Sequence, residues 1–451
     1  MSERSSLRHS RKAQPLEQVT ISPNQRFLAT AGGAPHFVLG DVAFELLYRL
    51  TRDEIDSYLS TRASQGFNLV TVNIFSILQL LDVPSSEGEL PLVGMNPARP
   101  NESFFSLVDH LANAAAREGI HLGLYPFTPS GDQNVSIFTP ENSYAYGRFL
   151  GSRYRHHPMI WILGGNFAVD TEASKDIWRS MAKGIADGTG TSPTITFLPP
   201  MLKSSSEYLH DEPWMTFNTV QTCHSARDIP THEWISADYS LEPPKPTWEI
   251  EYAWEDGPVN WDTSNGRFDD YDVRKGAYWS LFAGGFGCMY GCYDVFRFYR
   301  DSQHADEYEF NTPGIPWTDA LHRPGAHQMK YVRSLMESRP MLARVPDQDL
   351  LLSNPGEGAA HVRATRDAHG RYAFVYAVQG ELLAVNPDRL SDGEIRAWWF
   401  DPRNGSVVKI GEFSAQGPLE FEAPTSGYGQ DWVLVLDKIA EGWDAPGERP
   451  Q

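Results

Sequence analysis

Residues 36–75 read HFVLGDVAFELLYRLTRDEIDSYLSTRASQGFNLVTVNIF and contain a predicted strand, a helix and a second strand. The opening run, HFVLGDVAF, is apolar and ends in polar groups, as a buried strand does. Thr51 and Glu54 then form a capping-box pattern that starts a helix. The apolar face of this helix carries Ile55, Tyr58, Leu59 and Ala63. Gly66 ends the helix before the strand at 68–75, and a helical crossover of this kind predicts a parallel pair of strands.

The same alternation of strand and helix continues along the chain. Further strands are predicted at 120–127, 159–167, 194–200, 215–225, 246–254 and 286–291. Eight strand–helix repeats between residues 21 and 340 predict an α/β fold, the (β/α)8 TIM barrel. A doubly wound sheet is the alternative, but no GxGxxG motif follows the first strand. Residues 1–20 are predicted to form a disordered tail.

The pattern changes after the Arg339–Pro340 dipeptide. Helical periodicity stops, and short apolar strands alternate with turns. These strands are RYAFVYAV, LLAVNP, EIRAWWFDPRNG, PLEFEAP and DWVLVLD. Regularly spaced short strands are typical of a β-sandwich, so residues 341–451 are predicted to form a small C-terminal β-sandwich domain.

The composition excludes several classes of partner. The formal net charge of −20 argues against nucleic acid and against an anionic membrane surface, because both need a basic patch. No run of about 18 apolar residues could span a membrane, and no signal peptide is visible, so a cytoplasmic location is expected. A small neutral ligand fits best, homo-oligomerisation is left open, and no cofactor is implied.

The cysteines and short motifs give no sign of a metal or a disulfide framework. Three cysteines, Cys223, Cys288 and Cys292, are too few for such a framework and are interpreted as buried free thiols. The chain also lacks a G-x-S-x-G elbow, a P-loop and an HExxH motif. Nucleophilic serine, phosphate-binding and zinc-protease chemistries are therefore not indicated.

Polar residues cluster where the predicted strands end. They are Asp41, Asn73, Asn166, His224 and Glu251. A TIM barrel places its active site at the C-terminal ends of its strands, so these positions predict the site as well as the fold. The segment PTWEIEYAWED, residues 246–256, is the strongest candidate because it places acidic groups within one apolar run. Glu249 in this segment is interpreted as structural or exposed.

Several segments together resemble a known family, the apiosidase-like glycoside hydrolases. They are FVLGDVAFELLYRLTRDEIDSYLSTRASQGFNLV (37–70), RYRHHPMIWILGGN (153–166), KPTWEIEYAWED (245–256), VRKGAYWSLFAGGFGCMYG (273–291), WFDPRNG (399–405) and DWVLVL (431–436). The resemblance covers residues 25–437. It implies a (β/α)8 catalytic barrel, commonly followed by a β-sandwich, and a retaining mechanism that uses two carboxylates.

The resemblance also implies roles for individual residues. IEYAWE places Glu251 at the nucleophile and Glu255 at a second acidic position. GDVAF is similar to the family's GDTAW, which makes Asp41 a substrate-binding or orienting carboxylate, and TCHS resembles its SGH segment, which gives His224 a similar role. The other predicted substrate contacts are Glu45, Asn73, Trp254 and Tyr290.

The GGNF segment departs from the family, which has GGD at its acid/base position. An amide cannot protonate a leaving oxygen, so Asn166 cannot be a general acid. Three explanations stay open. The chain could be a variant inactivated in order to trap substrate, another carboxylate such as Asp170 or Asp132 could supply the proton, or the protein could bind sugar without cleaving it.

Glycoside hydrolysis needs one group to protonate the leaving oxygen and another to attack or stabilise the oxocarbenium-like centre. The expected activity is release of a terminal furanose or similar pentose from a small glycoside or oligosaccharide. Apiose is the first candidate sugar and arabinofuranose the next. The alternative for Glu251 is a carboxylate paired with arginine or lysine, and for His224 a hydrogen-bonded core histidine. The rival function is a non-catalytic carbohydrate-binding protein.

Overall fold

The computed structural model describes residues 16–78, 81–128, 137–165, 168–300 and 312–448. Asn166 and Asp132 lie outside the described residues. An antiparallel ribbon of β1 (Val19–Ile21) and β2 (Leu28–Thr30) opens the described chain. Strand β1 therefore begins inside the segment that the sequence predicts to be a tail.

Eight parallel strands form the centre of the first domain. They are β3 (Val38–Val42), β4 (Leu69–Asn73), β5 (His121–Tyr125), β6 (Met159–Gly164), β7 (Thr194–Leu198), β9 (Asn218–Gln221), β10 (Thr247–Glu249) and β11 (Gly287–Tyr290). A short strand, β8 (Lys203–Ser204), pairs antiparallel with β9. The order β11-β3-β4-β5-β6-β7 forms one curled sheet, and β9 pairs with β10.

Backbone hydrogen bonds complete the ring between these two sheets. Thr216 N–H, just before β9, donates to the carbonyl of Ile195 in β7 at 2.8 Å. Phe286 N–H, just before β11, donates to the carbonyl of Thr247 in β10 at 3.1 Å. The strands therefore close on themselves, which confirms the predicted TIM barrel.

Helices connect the strands and cover the outside of the barrel. They are α1 (Leu46–Arg49), α2 (Arg52–Ser64), α3 (Glu102–Arg117), α4 (Pro140–Arg153), α5 (Glu172–Thr189), α6 (Ser206–Leu209), α7 (Thr231–Tyr239), α8 (Asp270–Phe282), α9 (Tyr293–Phe296), α10 (Trp317–Ala320) and α11 (Pro324–Glu337). The predicted capping box of Thr51 and Glu54 is present at the start of α2. Nowhere in the described ranges is there a helix with the length and apolar character needed to cross a bilayer.

Strand alternation separates two apolar cores. Val38 and Val42 of β3 join the core inside the barrel, together with Trp248 of β10. Leu39 and Ala43, one position away, pack outward against the helices. Because neighbouring residues of a strand point to opposite faces, parity along each strand decides which side chains can reach the interior.

The second domain is antiparallel, as predicted. Its six-stranded sheet has the order β12 (Arg344–Pro346), β13 (Arg363–Asp367), β14 (Tyr372–Ala377), β19 (Trp432–Lys438), β16 (Glu394–Phe400) and β17 (Val407–Ser414). A two-stranded ribbon adds β15 (Leu383–Val385) and β18 (Leu419–Phe421). The sequence patterns predicted β14, β15, β16, β18 and β19 but missed β12, β13 and β17, whose residues are largely charged or partly exposed.

Buried ion pairs attach this domain to the barrel. Arg274 of α8 donates to both carboxylate oxygens of Asp431 at 2.9 and 3.1 Å, and Tyr376 donates to the same carboxylate at 3.0 Å. Arg339 makes a similar two-point contact with Asp437 at 2.7 and 2.8 Å. Charges buried in such pairs are costly to separate, so the two domains are held in one arrangement.

Candidate active site

Glu251 follows β10 at the C-terminal end of the barrel. Its carbonyl accepts a hydrogen bond from Cys223 N–H at 2.9 Å, which ties it to the segment after β9. Its Oε1 lies 3.2 Å from Nε2 of His224 and 3.8 Å from Sγ of Cys223. The side chains of Glu251 and His224 are only 7% and 3% exposed. An ionised carboxylate only accepts hydrogen bonds, so the His224 proton in this contact is on Nε2.

The only ion-pair partner of Glu251 within the described ranges is a histidine, not an arginine or lysine. Asp41, by contrast, has the guanidinium partner Arg62, and Glu45, Glu249 and Glu255 are held by hydroxyl and backbone N–H donors. The alternative in which Glu251 is neutralised by a permanent cation is therefore not the arrangement found. A buried carboxylate without such a partner is expensive to keep, which is typical of functional sites.

Aromatic side chains surround this carboxylate and its histidine. The ring of His224 lies 4.3 Å from Trp254 and 5.0 Å from Trp261. Trp254 also packs on Phe296 at 4.2 Å and belongs to the core inside the barrel. His224 is therefore fixed on one side by aromatic packing and on the other by Glu251. Such surfaces can also stack against a sugar ring.

Buried polar atoms without hydrogen-bond partners occur at the same end of the barrel. Within the described chain they include Trp254 Nε1, His224 Nδ1, Asn73 Nδ2 and both side-chain polar atoms of Gln221. Asn73 and Gln221 are the last residues of β4 and β9. Leaving such atoms unpaired is costly, so their presence at a strand-end cluster indicates positions that a ligand or water satisfies.

Asn73 is oriented by a neighbour. Thr128 Oγ1–H donates to its Oδ1 at 2.5 Å, which leaves Nδ2 as the available donor. Gly165 passes so close to Thr128 that an added Cβ would collide with the threonine methyl group. Gly164 similarly packs against the ring of Phe197. Neither glycine could therefore carry a side chain without displacing these neighbours.

Sequence reasoning missed two residues of this cluster, Tyr125 and Gln221. Tyr125 ends β5, belongs to the core inside the barrel and packs edge-to-face on Phe44. Burial raises its pKa well above the usual value, and the nearby charge of Glu251 raises it further. Strand parity was the signal that could have identified both residues, because each is the last residue of its strand on the inward face.

Asp41 does not join this cluster. Its side chain lies on the helix-facing side of β3, where Arg62 Nε donates to it at 2.6 Å and Tyr58 also donates to it. The side chains of Asp41 and Arg62 are both completely buried. Asp41 was predicted to contact substrate. Its side chain instead points out of the barrel towards α2, because it lies at an outward-facing position of β3.

Glu255 and Tyr290 are also engaged elsewhere. Tyr290 O–H donates to Glu255 Oε2 at 2.5 Å, and Gly325 N–H donates to Glu255 Oε1 at 3.0 Å. Burial raises the pKa of Glu255. The carboxyl group thus holds the N-terminus of α11 against the barrel. Both residues were predicted to contact substrate, but their side chains make these structural contacts instead.

Glu45 and Glu249 are buried supports of the site. Glu45 accepts from Ser76 O–H and Ile77 N–H, both at 2.8 Å, and so fixes the loop after β4. Glu249 accepts from Thr222 O–H at 3.0 Å and also contacts Thr231 O–H. Burial raises the pKa of Glu249 to about 8, although these hydrogen bonds partly oppose the shift. Glu45 was predicted to touch substrate, whereas its carboxylate is used to hold the loop.

The acid/base partner is not placed by the described residues. Asn166, together with Asp132, lies outside them. Asp170, the other proposed donor, is exposed in the connection between β6 and α5. Its charge acts on Lys203 and Tyr208, beyond β7.

A cavity of about 1000 Å³ lies at the opposite end of the barrel, where β7, β9 and β10 begin. Lys245 lines it and donates to three backbone carbonyls, those of His210, Glu212 and Met215, at 2.6–3.3 Å. Its charge is therefore used within the fold. TIM-barrel chemistry occurs at the other end, so this cavity is not the candidate active site.

Comparison with known proteins agrees with this geometry. Residues 22–343 match the family described as "Apiosidase-like, catalytic domain". Residues 345–437 match the family described as "Putative collagen-binding domain of a collagenase". The comparison with curated proteins returned no match.

Two solved structures are similar over almost the whole chain. A glycoside hydrolase family 5 protein from Bacteroides vulgatus ATCC 8482 is 28% identical, with a TM-score of 0.87 and 96% of each chain covered. A structure described as a glycoside hydrolase is also 28% identical, with a TM-score of 0.86 and coverage of 94% of this chain and 97% of that chain. With the closed barrel, its strand-end carboxylate and the match to residues 22–343, the chain belongs to the apiosidase-like family of glycoside hydrolases.

Proposed function

We propose that this glycosidase releases a terminal furanose or similar pentose from a small glycoside or oligosaccharide, with Glu251 as the nucleophile of a retaining mechanism. One observation carries the proposal. Glu251 is a buried carboxylate at the C-terminal end of the barrel, and its only charge partner in the described ranges is His224. An ionised carboxylate free of permanent cations can attack an anomeric carbon.

The neighbouring residues supply the rest of the site in this proposal. The Nε2–H of His224 donates to Oε1 of Glu251 and orients the carboxylate, so that Oε2 is the oxygen presented to the sugar. Trp254, packed against His224, forms one wall. Asn73 Nδ2 and the amide of Gln221 are available to bind sugar hydroxyls. These hydrogen bonds position the anomeric carbon for attack.

The acid step separates activated from ordinary substrates. Asn166 cannot protonate the leaving oxygen, so formation of the glycosyl-enzyme should depend strongly on the leaving group. A dinitrophenolate leaves without a proton, whereas a sugar or alkyl alkoxide does not. The family match and the net charge of −20 favour a small, neutral glycoside. Apiosides and arabinofuranosides are the first two substrates of the proposal.

A panel of aryl furanosides and pentosides tests the proposal, assayed with this chain, Asn166→Asp and Glu251→Gln. We expect this chain to cleave dinitrophenyl glycosides and Asn166→Asp to extend cleavage to poorer leaving groups. Glu251→Gln should be inactive on both. Retention is checked by following the anomer that is first released. Activity that survives in Glu251→Gln would remove Glu251 from the nucleophile role.

Asn166 also favours a second function, sugar binding without cleavage. The same panel distinguishes the two functions when it is combined with calorimetric titration of the corresponding free sugars and uncleaved glycosides. Binding without turnover in both this chain and Asn166→Asp would support the binding protein. Turnover of any glycoside that depends on Glu251 would support the enzyme.

A further inference from the structure

Cys223, His224 and Glu251 bring together three different metal-ligand atoms. The cysteine Sγ, a histidine ring nitrogen and a carboxylate oxygen all lie within 4.8 Å of one another, and all three residues are buried. Glu251 Oε1 is the common atom, at 3.2 Å from His224 Nε2 and 3.8 Å from Cys223 Sγ. Sulfur, nitrogen and carboxylate oxygen are the donors that Zn²⁺ takes in proteins.

These separations agree with the edges of a zinc coordination tetrahedron. Zinc bond lengths of about 2.3 Å to sulfur and about 2.1 Å to nitrogen or oxygen give edges of about 3.4 Å for N···O and about 3.6 Å for S···O. The corresponding separations here, 3.2 and 3.8 Å, each differ by about 0.2 Å from these values. The third edge, between Cys223 Sγ and the His224 ring nitrogen, is no longer than 4.8 Å, and side-chain rotation would have to bring it to about 3.6 Å.

The backbone holds the thiol in this position at a conformational cost. Cys223 has a φ of 61°, in the left-handed region that glycine occupies most easily. Its N–H is bonded to the Glu251 carbonyl at 2.9 Å, so the turn and the glutamate are one unit. A non-glycine residue is strained in this region, and such strain often occurs where a side chain is needed for function.

We propose that Cys223, His224 and Glu251 bind one Zn²⁺ ion, or a similarly thiophilic divalent cation, and that the bound metal inhibits the enzyme reversibly. The thiol releases its proton to solvent when it binds, and the imidazole proton moves from Nε2 to Nδ1, which has no hydrogen-bond partner in the described chain. A water molecule fills the fourth position of the tetrahedron. The inhibitory part rests on the proposed function, because it requires that Glu251 is the nucleophile. Metal binding itself does not depend on that role.

The first experiment measures binding without turnover. The full chain is treated with a chelator and dialysed. One sample is titrated with Zn²⁺ by calorimetry, and a separate metal-free sample is titrated with Co²⁺ by absorption spectroscopy. We expect one ion per chain and a thiolate-to-cobalt charge-transfer band. Cys223→Gly should abolish this band and weaken zinc binding at least tenfold. Glycine relaxes the left-handed turn, so loss of folding is avoided, and thermal unfolding verifies this.

Cys288→Ala is the matched control, because Cys288 is also a buried free thiol but lies in β11 and outside the cluster. It should keep the cobalt band. Absence of stoichiometric binding, or an unchanged band in Cys223→Gly, would overturn the inference. Either result would indicate that Cys223 acts only as a weak hydrogen-bond donor to Glu251.

The second experiment adds Zn²⁺ to the aryl glycoside assay and then removes it with chelator. We expect inhibition that reverses and that competes with substrate. Metal binding in a chain that cleaves no glycoside would refute the proposed function and leave the metal site standing. If the chain cleaves glycosides but Zn²⁺ neither binds to it nor inhibits it, the metal site is refuted and the proposed function stands.

Discussion

Glu249 makes the stability of this protein depend on pH in a direction opposite to that of an ordinary carboxylate. Its pKa is raised from 4.5 to about 8, mainly because the group is buried. The folded state therefore binds this proton more tightly than the unfolded state. The stability gained from the protonated group is complete below the unfolded pKa, near 4.5, and is lost as the pH rises through about 8.

The size of the effect follows from the two pKa values. Proton linkage for one group with these values removes about 4 kcal/mol of unfolding free energy between pH 5 and pH 9. Glu249→Gln has nearly the same shape and cannot ionise. Its amide oxygen can still accept from the hydroxyl groups of Thr222 and Thr231. The amide NH2 then faces the N–H groups of Thr222 and Glu251, and that cost is the same at every pH. The substitution should therefore remove this contribution without opening a cavity.

The assay is urea unfolding of this chain and Glu249→Gln at pH 5, 7 and 9. Other titrating groups are shared, so they cancel in the difference between the two proteins. We expect the free energy of unfolding of Glu249→Gln, relative to that of this chain, to increase by about 4 kcal/mol from pH 5 to pH 9. Glu420→Gln, on an exposed position of β18, is the matched control and should show no such change. A difference that stays constant within about 1 kcal/mol would refute the reasoning.

Three further perturbations test the site and the domain interface. Glu251→Gln should lower kcat on activated aryl glycosides at least about a thousandfold, which is about 4 kcal/mol of transition-state stabilisation. Its circular dichroism spectrum should be unchanged. A smaller loss of kcat would point to another nucleophile. Gln221→Leu should raise KM about tenfold without lowering the unfolding free energy, because it removes buried polar atoms that have no protein partner; an unchanged KM would exclude a substrate contact. Asp431→Asn should destabilise the protein by about 2 kcal/mol in urea unfolding, because Arg274 loses its buried partner and keeps only the ion pair with the partly exposed Asp270. A double variant with Arg274→Met should recover part of that loss, and additive losses would contradict the pairing.

Local patterns were enough to predict the barrel. The segment at 36–75 has a capping box, an apolar helical face and two apolar strands, and each feature depends only on residues close together in the chain. The strand positions of the C-terminal domain were predicted where they are apolar. The charged strand β13 and the partly exposed β17 were not predicted, because their side chains lack an apolar pattern and only their pairing with β14 and β16 identifies them as strands.

Glu251, His224 and Trp254 could be selected from their motif and strand-end positions, and the structure brings these three together. Their roles in catalysis remain predictions. Asp41, Glu45, Glu255 and Tyr290 carry equally suitable chemistry, yet each is bound to a structural partner. The residues that hydrogen-bond to such a side chain are distant from it in the chain. Its position at the end of a strand therefore does not show whether the side chain is free to contact a substrate.

The sequence by itself determined the order of strands and helices, the change to an antiparallel domain and the position of Glu251 at the end of a barrel strand. It could do so because hydrophobic periodicity and capping are local. Only the tertiary structure decided which acidic groups are neutralised, as Asp41 is by Arg62, and which thiol lies against Glu251. Those outcomes depend on the direction in which each side chain leaves a curved, closed sheet, where a shift of one residue moves it from the interior to the helix layer.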